Sequence, residues 1–373
     1  MENKKLYFNS IDGLRLFAAV NVVLYHYERM GGFNNLGGNP SWFFSIIKGP
    51  AFHASLFFIL AGFIFTIKYS QERSEFSTFT FIKSRLRQLY PLHIISTLSM
   101  VPFIFLSGEY IDMAKFSDSI ILHLSMLYPF FPGDYNTLNM PSWALSAFFF
   151  CYLFFKKALV FVNSISSKKV VVATMLIPFA AVFLWGALFG ILGTPDSLKN
   201  LFHMFPPYRF MEFLTGMLVA RIFTLRQGNT EKKQFGFIND IAIIVTLIFM
   251  YQNLQFRTGR GDLFEWYSYH LIMPILHTVL LYRLARGTGL ISKIMSFSWI
   301  RNVGKSSFYP YLLHIPAMAW LCYILENYFG YDTFLHSPIN LGAFIVILYS
   351  LSTFYVMRLR KRPVSKFKNE IKK

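Results

Sequence analysis

The sequence predicts an all-α, polytopic membrane protein with about ten transmembrane helices. Three observations lead to this fold class. Hydrophobic residues make up 54% of the 373 residues and charged residues only 14%, whereas soluble domains carry roughly 25% charged residues. The 44 Phe and 21 Tyr side chains present more apolar surface than a water-facing exterior covers. The apolar residues also fall into runs of about 20, the length that a helix needs to cross a bilayer.

Ten such runs are spaced along the chain, and each is predicted to be one spanning helix. Only helices are expected at membrane depth, because the bilayer offers no hydrogen-bond partners to an open backbone. The stretch 119–140 is too short and too polar to span, and we predict an interfacial or re-entrant segment there. The predicted spans are 11–29, 52–68, 88–106, 141–158, 170–192, 206–224, 237–256, 266–284, 306–325 and 339–357.

The distribution of Lys and Arg predicts that both termini are cytoplasmic. With the N-terminus inside, the predicted cytoplasmic stretches hold 28 Lys and Arg residues and the opposite loops hold six, which follows the positive-inside rule. The net charge of +18 therefore reflects topology, and no nucleic-acid partner is predicted. We predict one transmembrane domain over 1–373, in which 358–373 is a basic cytoplasmic tail at the anionic inner leaflet.

The two cysteines offer no framework for a disulfide or a metal. Cys151 and Cys322 both lie inside apolar runs, and no Cys or His spacing typical of a metal site surrounds them. No metal is therefore predicted.

Ionisable residues inside the first span mark a candidate active site. A charged group at membrane depth is costly, so it indicates function. Arg15 and His26 are eleven residues apart, which is about three helical turns and about 16 Å. Both side chains are therefore predicted to lie on one helix face, across the bilayer from each other. The alternatives are an arginine that snorkels to the membrane surface and a histidine that is simply packed or solvated.

A basic cluster stands at the cytoplasmic end of the third span. Lys83, Arg85 and Arg87 occur in FIKSRLRQLYPLH. Because arginine binds phosphate oxygens through two parallel hydrogen bonds, this cluster is a candidate site for a nucleotide-bearing donor. The alternative is charge that only sets topology.

Four further residues are weaker candidates for a supporting or substrate-binding role. Arg209 and Glu212 are three residues apart and can pair with each other on a helix. His314 lies in the middle of a span, where a hydrogen-bonded core role is equally compatible with the sequence. Trp143 is typical of the aromatic belt at a membrane interface.

Five segments occur along the chain in a fixed order: IDGLRLFAAVNVVLYHY, SLFFILAGFIF, FIKSRLRQLYPLH, RFMEFLTGML and VGKSSFYPYLLHIP. Together they resemble the motifs of the acyltransferase family 3 membrane enzymes, which O-acylate cell-surface sugars and related acceptors. Two positions depart from the family pattern. Gln88 stands where the second Arg of an Arg-x-x-Arg stretch falls, and Phe148 stands in WALSAF where the family has an acid.

The resemblance implies a membrane O-acyltransferase in a bacterial inner membrane. It implies a cytoplasmic acyl-CoA donor, most often acetyl-CoA. It also implies that the acceptor is a hydroxyl of a surface or lipid-linked saccharide, such as O-antigen or lipopolysaccharide, on the far side of the lipid bilayer. The partners expected are thus the donor, the saccharide and the bilayer itself.

The same resemblance suggests roles for the residues of the first span. Arg15 and the 83–87 cluster would hold the charged end of the donor, with Asp12 orienting Arg15. His26 would act either as a general base on the acceptor hydroxyl or as a covalent acyl carrier. His314 would support this site.

Two other classes remain as alternatives. A transporter or flippase of an anionic or glycolipid solute has similar hydropathy, although such proteins usually contain an inverted repeat and none is visible here. A non-enzymatic sensor of surface glycans is compatible with the sequence, but no motif favours it.

Overall fold

The computed structural model describes residues 7–29, 53–71, 77–108, 112–131, 138–193, 202–225, 236–256, 262–331 and 337–361. Within these ranges the chain is helical and contains no β-strand, so the all-α prediction is confirmed. Most of the predicted basic tail lies outside the described residues.

The first half of the chain supplies helices α1 to α6. Asp112 begins α5, because its side chain accepts a hydrogen bond from the backbone N–H of Ala114 at 3.1 Å and so caps the helix. Two 3₁₀ turns, Tyr128–Phe130 and Met140–Ser142, connect α5 to α6. The helices are α1 (Asn9–Arg29), α2 (His53–Gln71), α3 (Thr78–Leu98), α4 (Met100–Leu106), α5 (Met113–Leu124) and α6 (Trp143–Ser164).

The second half supplies helices α7 to α15. A π-helical turn at Ser268–Ile272 joins α10 to α11. The helices are α7 (Lys168–Leu192), α8 (Pro206–Thr224), α9 (Gly236–Phe256), α10 (Asp262–Tyr267), α11 (Met273–Ala285), α12 (Leu290–Met295), α13 (Ser298–Ser306), α14 (Phe308–Phe329) and α15 (Pro338–Lys361).

Six helical segments of the described chain are long and apolar enough to cross a membrane. The other four predicted spans also fall on helices, namely α1, α2, α8 and the α10–α11 pair, and their crossing remains a prediction. Helices α1 and α8 carry charged residues within their apolar runs, which lowers their hydropathy. The six segments are Thr78–Leu106, Met140–Ser164, Lys168–Leu192, Gly236–Leu254, Phe308–Phe329 and Ile339–Arg358.

The described parts of the stretch that was predicted not to span, 119–131 and 138–140, hold the end of α5, the first 3₁₀ turn and the start of the second. His123 is fully buried, and its backbone carbonyl lies 2.8 Å from Nε2 of His93 on α3. Asn139 donates to the carbonyl of Leu312 on α14 at 3.0 Å. Two hydrogen bonds thus join the described parts of this stretch to α3 and α14.

Glycines bring two helix pairs into backbone contact. A Cβ on Gly62 of α2 would lie 1.9 Å from the carbonyl oxygen of Phe213, and one on Gly216 of α8 would lie 1.9 Å from that of Ile59. Small residues at such crossings let helices of membrane proteins approach closely. The backbones of α2 and α8 are therefore in direct contact at these two glycines.

Helix α1 is held against α13 in the same way. A Cβ on Gly304 would lie 1.8 Å from the backbone oxygen of Asp12. This contact brings the first turn of α1 beside Lys305, the residue after Gly304. The sequences IDGLR and VGKSS, which are almost 300 residues apart, thereby meet at one place.

Candidate functional site

Helix α1 carries Arg15 and His26 in one unbroken helix, as the sequence predicted. His26 is buried, with 8% of its surface exposed. The Arg15 side chain is 30% exposed. The arginine thus stays near the protein surface, whereas the imidazole lies in the interior.

Asp12 organises the cations around the start of α1. Its carboxylate lies 3.3 Å from Nη1 of Arg15 and 3.7 Å from Nζ of Lys305. The hydroxyl of Tyr7 donates to the same carboxylate at 2.9 Å. Asp12 therefore orients Arg15, as proposed from the sequence, and it also positions a lysine from α13.

A cavity of about 730 Å³ opens beside these residues. Four cations line one part of it, which we call the basic end: Arg15, Lys68, Arg85 and Lys305. Ala54 and Lys68 both line the cavity and are fourteen residues apart on α2, so the cavity extends about 21 Å along that helix. We call its other part, lined by Ala54, Ala144 and Tyr311, the Tyr311 end.

The walls between the two ends are largely apolar. They include Phe8, Ile11, Phe57, Leu60, Ile64 and Phe148. Phe148 stacks on Phe58 with ring centroids 4.4 Å apart, so the position at which the family pattern has an acid is here part of an aromatic wall. A ligand that fits this cavity therefore has a charged head and a long, weakly polar body.

Only one residue of the predicted 83–87 cluster lines the cavity. Arg85 does so, with its guanidinium 4.9 Å from the ring centroid of Phe65 and its Nη1 donating to Gln88 at 3.3 Å. Gln88 also lines the cavity. Lys83 and Arg87 are exposed and are not among the lining residues, so the structure does not bring these three cations together.

The cavity ends next to a buried pair of histidines. Nδ1 of His26 lies 2.8 Å from Nε2 of His314, and Nδ1 of His314 lies 3.1 Å from the carbonyl oxygen of Pro310. Tyr311 connects this pair to the cavity, since it lines the cavity and its ring centroid is 6.3 Å from that of His314. His26 itself is not among the lining residues. The support role suggested for His314 thus has a direct geometric basis.

Arg209 and Glu212 form a buried ion pair. Nη1 of Arg209 lies 2.8 Å from both oxygens of Glu212, and the two side chains are 2% and 3% exposed. The guanidinium lies over the Trp143 ring at 5.1 Å from its centroid. These three predicted residues are therefore brought together, but none of them lines the cavity.

His203 completes the surroundings of Arg209. Its carbonyl accepts from Nε of Arg209 at 2.8 Å, and its Nδ1 lies 3.3 Å from Nη2. Burial, together with the Arg209 charge, lowers the pKa of His203 to about 3. The ring is therefore neutral at physiological pH, and the ion pair accumulates no second positive charge.

The sequence did not predict Lys68, Lys305 or Tyr311 as site residues. Lys305 and Tyr311 both lie within VGKSSFYPYLLHIP, and Lys68 is the third residue after SLFFILAGFIF. The sequence feature that could have identified these three residues is thus their position inside or beside a recognised motif. Taken without its motif, each lysine is typical of charge that sets topology, and the tyrosine is typical of an aromatic at a membrane interface.

Comparison with known proteins identifies the family. A family model described as an acyltransferase domain matches residues 8–357. The acyltransferase MdmB of Streptomyces mycarofaciens is 27% identical over 229 residues, which is 59% of this chain and 58% of MdmB. No solved structure matches the chain.

Two relatives are named as O-acetyltransferases. The peptidoglycan O-acetyltransferase OatA of Listeria monocytogenes is 22% identical over 344 residues, or 86% of this chain and 51% of OatA. The O-acetyltransferase OatA of Staphylococcus aureus is 21% identical over 337 residues, or 84% of this chain and 51% of that protein. The chain thus spans about half the length of these relatives. Because the family model covers nearly all of it, the chain belongs to acyltransferase family 3, as its motifs indicated.

Proposed function

We propose that this protein is a membrane O-acetyltransferase that uses acetyl-CoA as donor and a saccharide hydroxyl as acceptor. One observation carries the proposal. A single cavity runs from four cations to Tyr311, and Tyr311 packs beside the His26–His314 pair. The names of the relatives support an O-acetyl product.

The basic end suits the phosphates of coenzyme A. Lys68, Arg85 and Lys305 supply charge for several phosphate oxygens, and Arg15 lies beside them. The apolar walls suit the pantetheine arm, which is long and uncharged. With the phosphates at the basic end, this arm would extend toward the Tyr311 end and carry the thioester with it.

His26 is the proposed general base. It takes the proton of the acceptor hydroxyl as the oxygen attacks the thioester carbon. The carbon–sulfur bond then breaks, and the proton passes to the leaving thiolate to give free coenzyme A. Because His26 does not line the cavity, the Tyr311 side chain must move for the acetyl group to reach the imidazole.

The proposed acceptor is a surface or lipid-linked saccharide on the side opposite the donor. The OatA relative of Listeria monocytogenes is named for peptidoglycan, so a peptidoglycan sugar stands beside O-antigen and lipopolysaccharide as a candidate. The proposed location is a bacterial inner membrane with cytoplasmic N- and C-termini, which keeps the basic end at the cytoplasmic face.

The first experiment compares surface saccharides from cells with and without the protein. Mass spectrometry should detect one acetyl group per modified sugar in cells with the wild-type protein, and no such group in cells with His26→Gln at equal protein level. An unchanged acetyl content in the His26→Gln cells would refute the assignment of the base. A solute that is moved but not acetylated would support the transporter alternative instead.

A second experiment tests the donor site with radiolabelled acetyl-CoA and membrane vesicles. Lys305→Met and Arg85→Met should each raise the apparent KM for acetyl-CoA by about 10- to 100-fold, the range expected for a lost hydrogen bond to a charged group. Lys293→Met is the matched control, because Lys293 is exposed on α12 and does not line the cavity. An equal effect of all three variants would mean that general surface charge, not the cavity, binds the donor.

A further inference from the structure

We propose that His314 is a positioning residue that fixes the tautomer of His26, so that Nε2 of His26 is the basic nitrogen. This inference rests on the proposed function, in which His26 receives the proton of the acceptor hydroxyl. The observation behind it is a chain of hydrogen-bonding groups that runs from Pro310 through His314 to His26.

The Pro310 carbonyl determines which group donates and which accepts in each of these hydrogen bonds. The Pro310 oxygen is a carbonyl, which accepts hydrogen bonds and cannot donate them. Nδ1 of His314, at 3.1 Å from this oxygen, must therefore carry a hydrogen. In a neutral imidazole the second nitrogen then has a lone pair and accepts, so Nε2 of His314 is an acceptor.

The accepting Nε2 of His314 in turn determines the tautomer of His26. Nδ1 of His26 lies 2.8 Å from the accepting Nε2 of His314, so Nδ1 of His26 carries the hydrogen between the two rings. The lone pair of neutral His26 is then on Nε2. His314 is completely buried and His26 is 8% exposed, so bulk water does not compete for the bond between them.

This arrangement also supports the charged state of His26 during turnover. When Nε2 takes the acceptor proton, the imidazolium still donates its Nδ1–H to His314, and the hydrogen bond becomes charge-assisted and stronger. When the proton leaves on the thiolate, both rings return to the neutral tautomers. The two histidines carry the same number of protons before and after the reaction, and the hydrogen bond between their rings is kept at every step.

In other nucleophilic or general-base sites, a separate side chain holds the base in the correct tautomer and orientation. In this protein His26 is the base and His314 is the side chain that orients it. Here the orienting group is a neutral ring that is itself fixed by a backbone carbonyl. Such an orienter needs no charged partner at membrane depth, where a carboxylate would be costly.

The test replaces His314 with one residue that can accept this hydrogen bond and one that cannot. The Gln amide oxygen accepts a hydrogen bond at about the position of Nε2, whereas Leu is one atom shorter and accepts none. His314→Leu should lower kcat about 100- to 1,000-fold, within the range for general acid–base catalysis, and His314→Gln should keep kcat within about tenfold of wild type. The KM for acetyl-CoA should be unchanged in both, because His314 does not line the cavity.

Because either substitution could reduce folding, kcat is compared at equal amounts of folded protein. Under that condition, equal kcat for the two variants, whether both low or both near wild type, would overturn the proposal.

An independent readout does not depend on turnover. In a protein labelled with ¹⁵N-histidine, the His26 signals are those lost in His26→Gln. The expected spectrum has a protonated Nδ1 and an unprotonated Nε2 for His26. The opposite pattern would overturn the proposal, even in a protein that acetylates normally. An absence of acetyl transfer by the wild-type protein, with the expected spectrum, would instead refute the proposed function and leave the tautomer chain intact.

Discussion

The buried ion pair of Arg209 and Glu212 gives the sharpest prediction about stability. Glu212→Gln keeps the size of the side chain but removes the negative charge that faces a guanidinium with only 2% of its surface exposed. Removing one partner of a buried pair typically costs about 3–5 kcal/mol, because the other charge is left uncompensated. That loss corresponds to more than a 100-fold change in the ratio of folded to unfolded protein.

Removing both charges should be much less harmful. The double variant Arg209→Met/Glu212→Leu replaces the pair by apolar side chains, a change that is often neutral or stabilising in buried sites. The hydroxyl of Tyr208, which lies 3.0 Å from Glu212, also lies 3.0 Å from the His270 carbonyl and therefore keeps an acceptor. We expect the double variant to recover most of the stability lost in Glu212→Gln.

The assay is the fraction of monomeric protein that survives heating or titration with a denaturing detergent. Glu326→Gln is the matched control, since Glu326 is exposed on α14 and its change should fall within about 0.5 kcal/mol. The reasoning would be refuted by a Glu212→Gln protein as stable as the control, or by a double variant no better than the single one. A stable Glu212→Gln protein without acetyl transfer would restore the substrate-binding alternative for this pair.

Three further predictions concern the cavity, the α1–α13 contact and acid stability. Ala144→Phe should fill the Tyr311 end and lower kcat while donor binding at the basic end persists, as measured by acetyl transfer alongside binding of coenzyme A; unchanged kcat would contradict the path of the acyl arm. Gly304→Ala would place a Cβ 1.8 Å from the Asp12 backbone oxygen. We therefore expect overpacking to lower the free energy of unfolding by about 1–3 kcal/mol and to raise the KM for acetyl-CoA. If neither value changes, α1 and α13 do not touch at this position. The pKa of His203 is about 3 in the folded state and about 6.5 in the unfolded chain. The free energy of unfolding that this neutral ring contributes is therefore fully present above the unfolded pKa and falls as the pH drops below it. In His203→Gln the decrease in melting temperature between pH 7 and pH 5 should be smaller than in wild type.

The sequence predicted the helices well because each apolar run is a local property. It also predicted that Arg15 and His26 lie on one helix, since eleven residues return a helix to nearly the same face. The stretch 119–140 was set apart because its length and polarity do not suit a span, and its described residues before Met140 lie in none of the six segments that are long and apolar enough to cross. These predictions need only the spacing of residues along the chain.

The pairing of His26 with His314 could not be derived from spacing, because 288 residues separate the two rings. Of the three cations predicted to bind the donor, Arg85 alone lines the cavity, and the spacing of the three gives a geometric reason. Residues two apart on a helix point in nearly opposite directions, so Lys83, Arg85 and Arg87 cannot all face one cavity. The cations that do line it with Arg85 come from other helices, and only tertiary packing brings them together.

The distribution of charge along the cavity fits the proposed acetyl-CoA donor. The cations stand at the basic end, where Arg15 is still 30% exposed, and the far end is lined by Ala54, Ala144 and Tyr311, which carry no formal charge. A charged group costs several kcal/mol at membrane depth, so the phosphates of the proposed donor would have their most favourable position at the basic end, and only the uncharged arm would enter. The acetyl group would then approach the His26–His314 pair, which in the proposed tautomers accepts a proton without any permanent charge having been buried there.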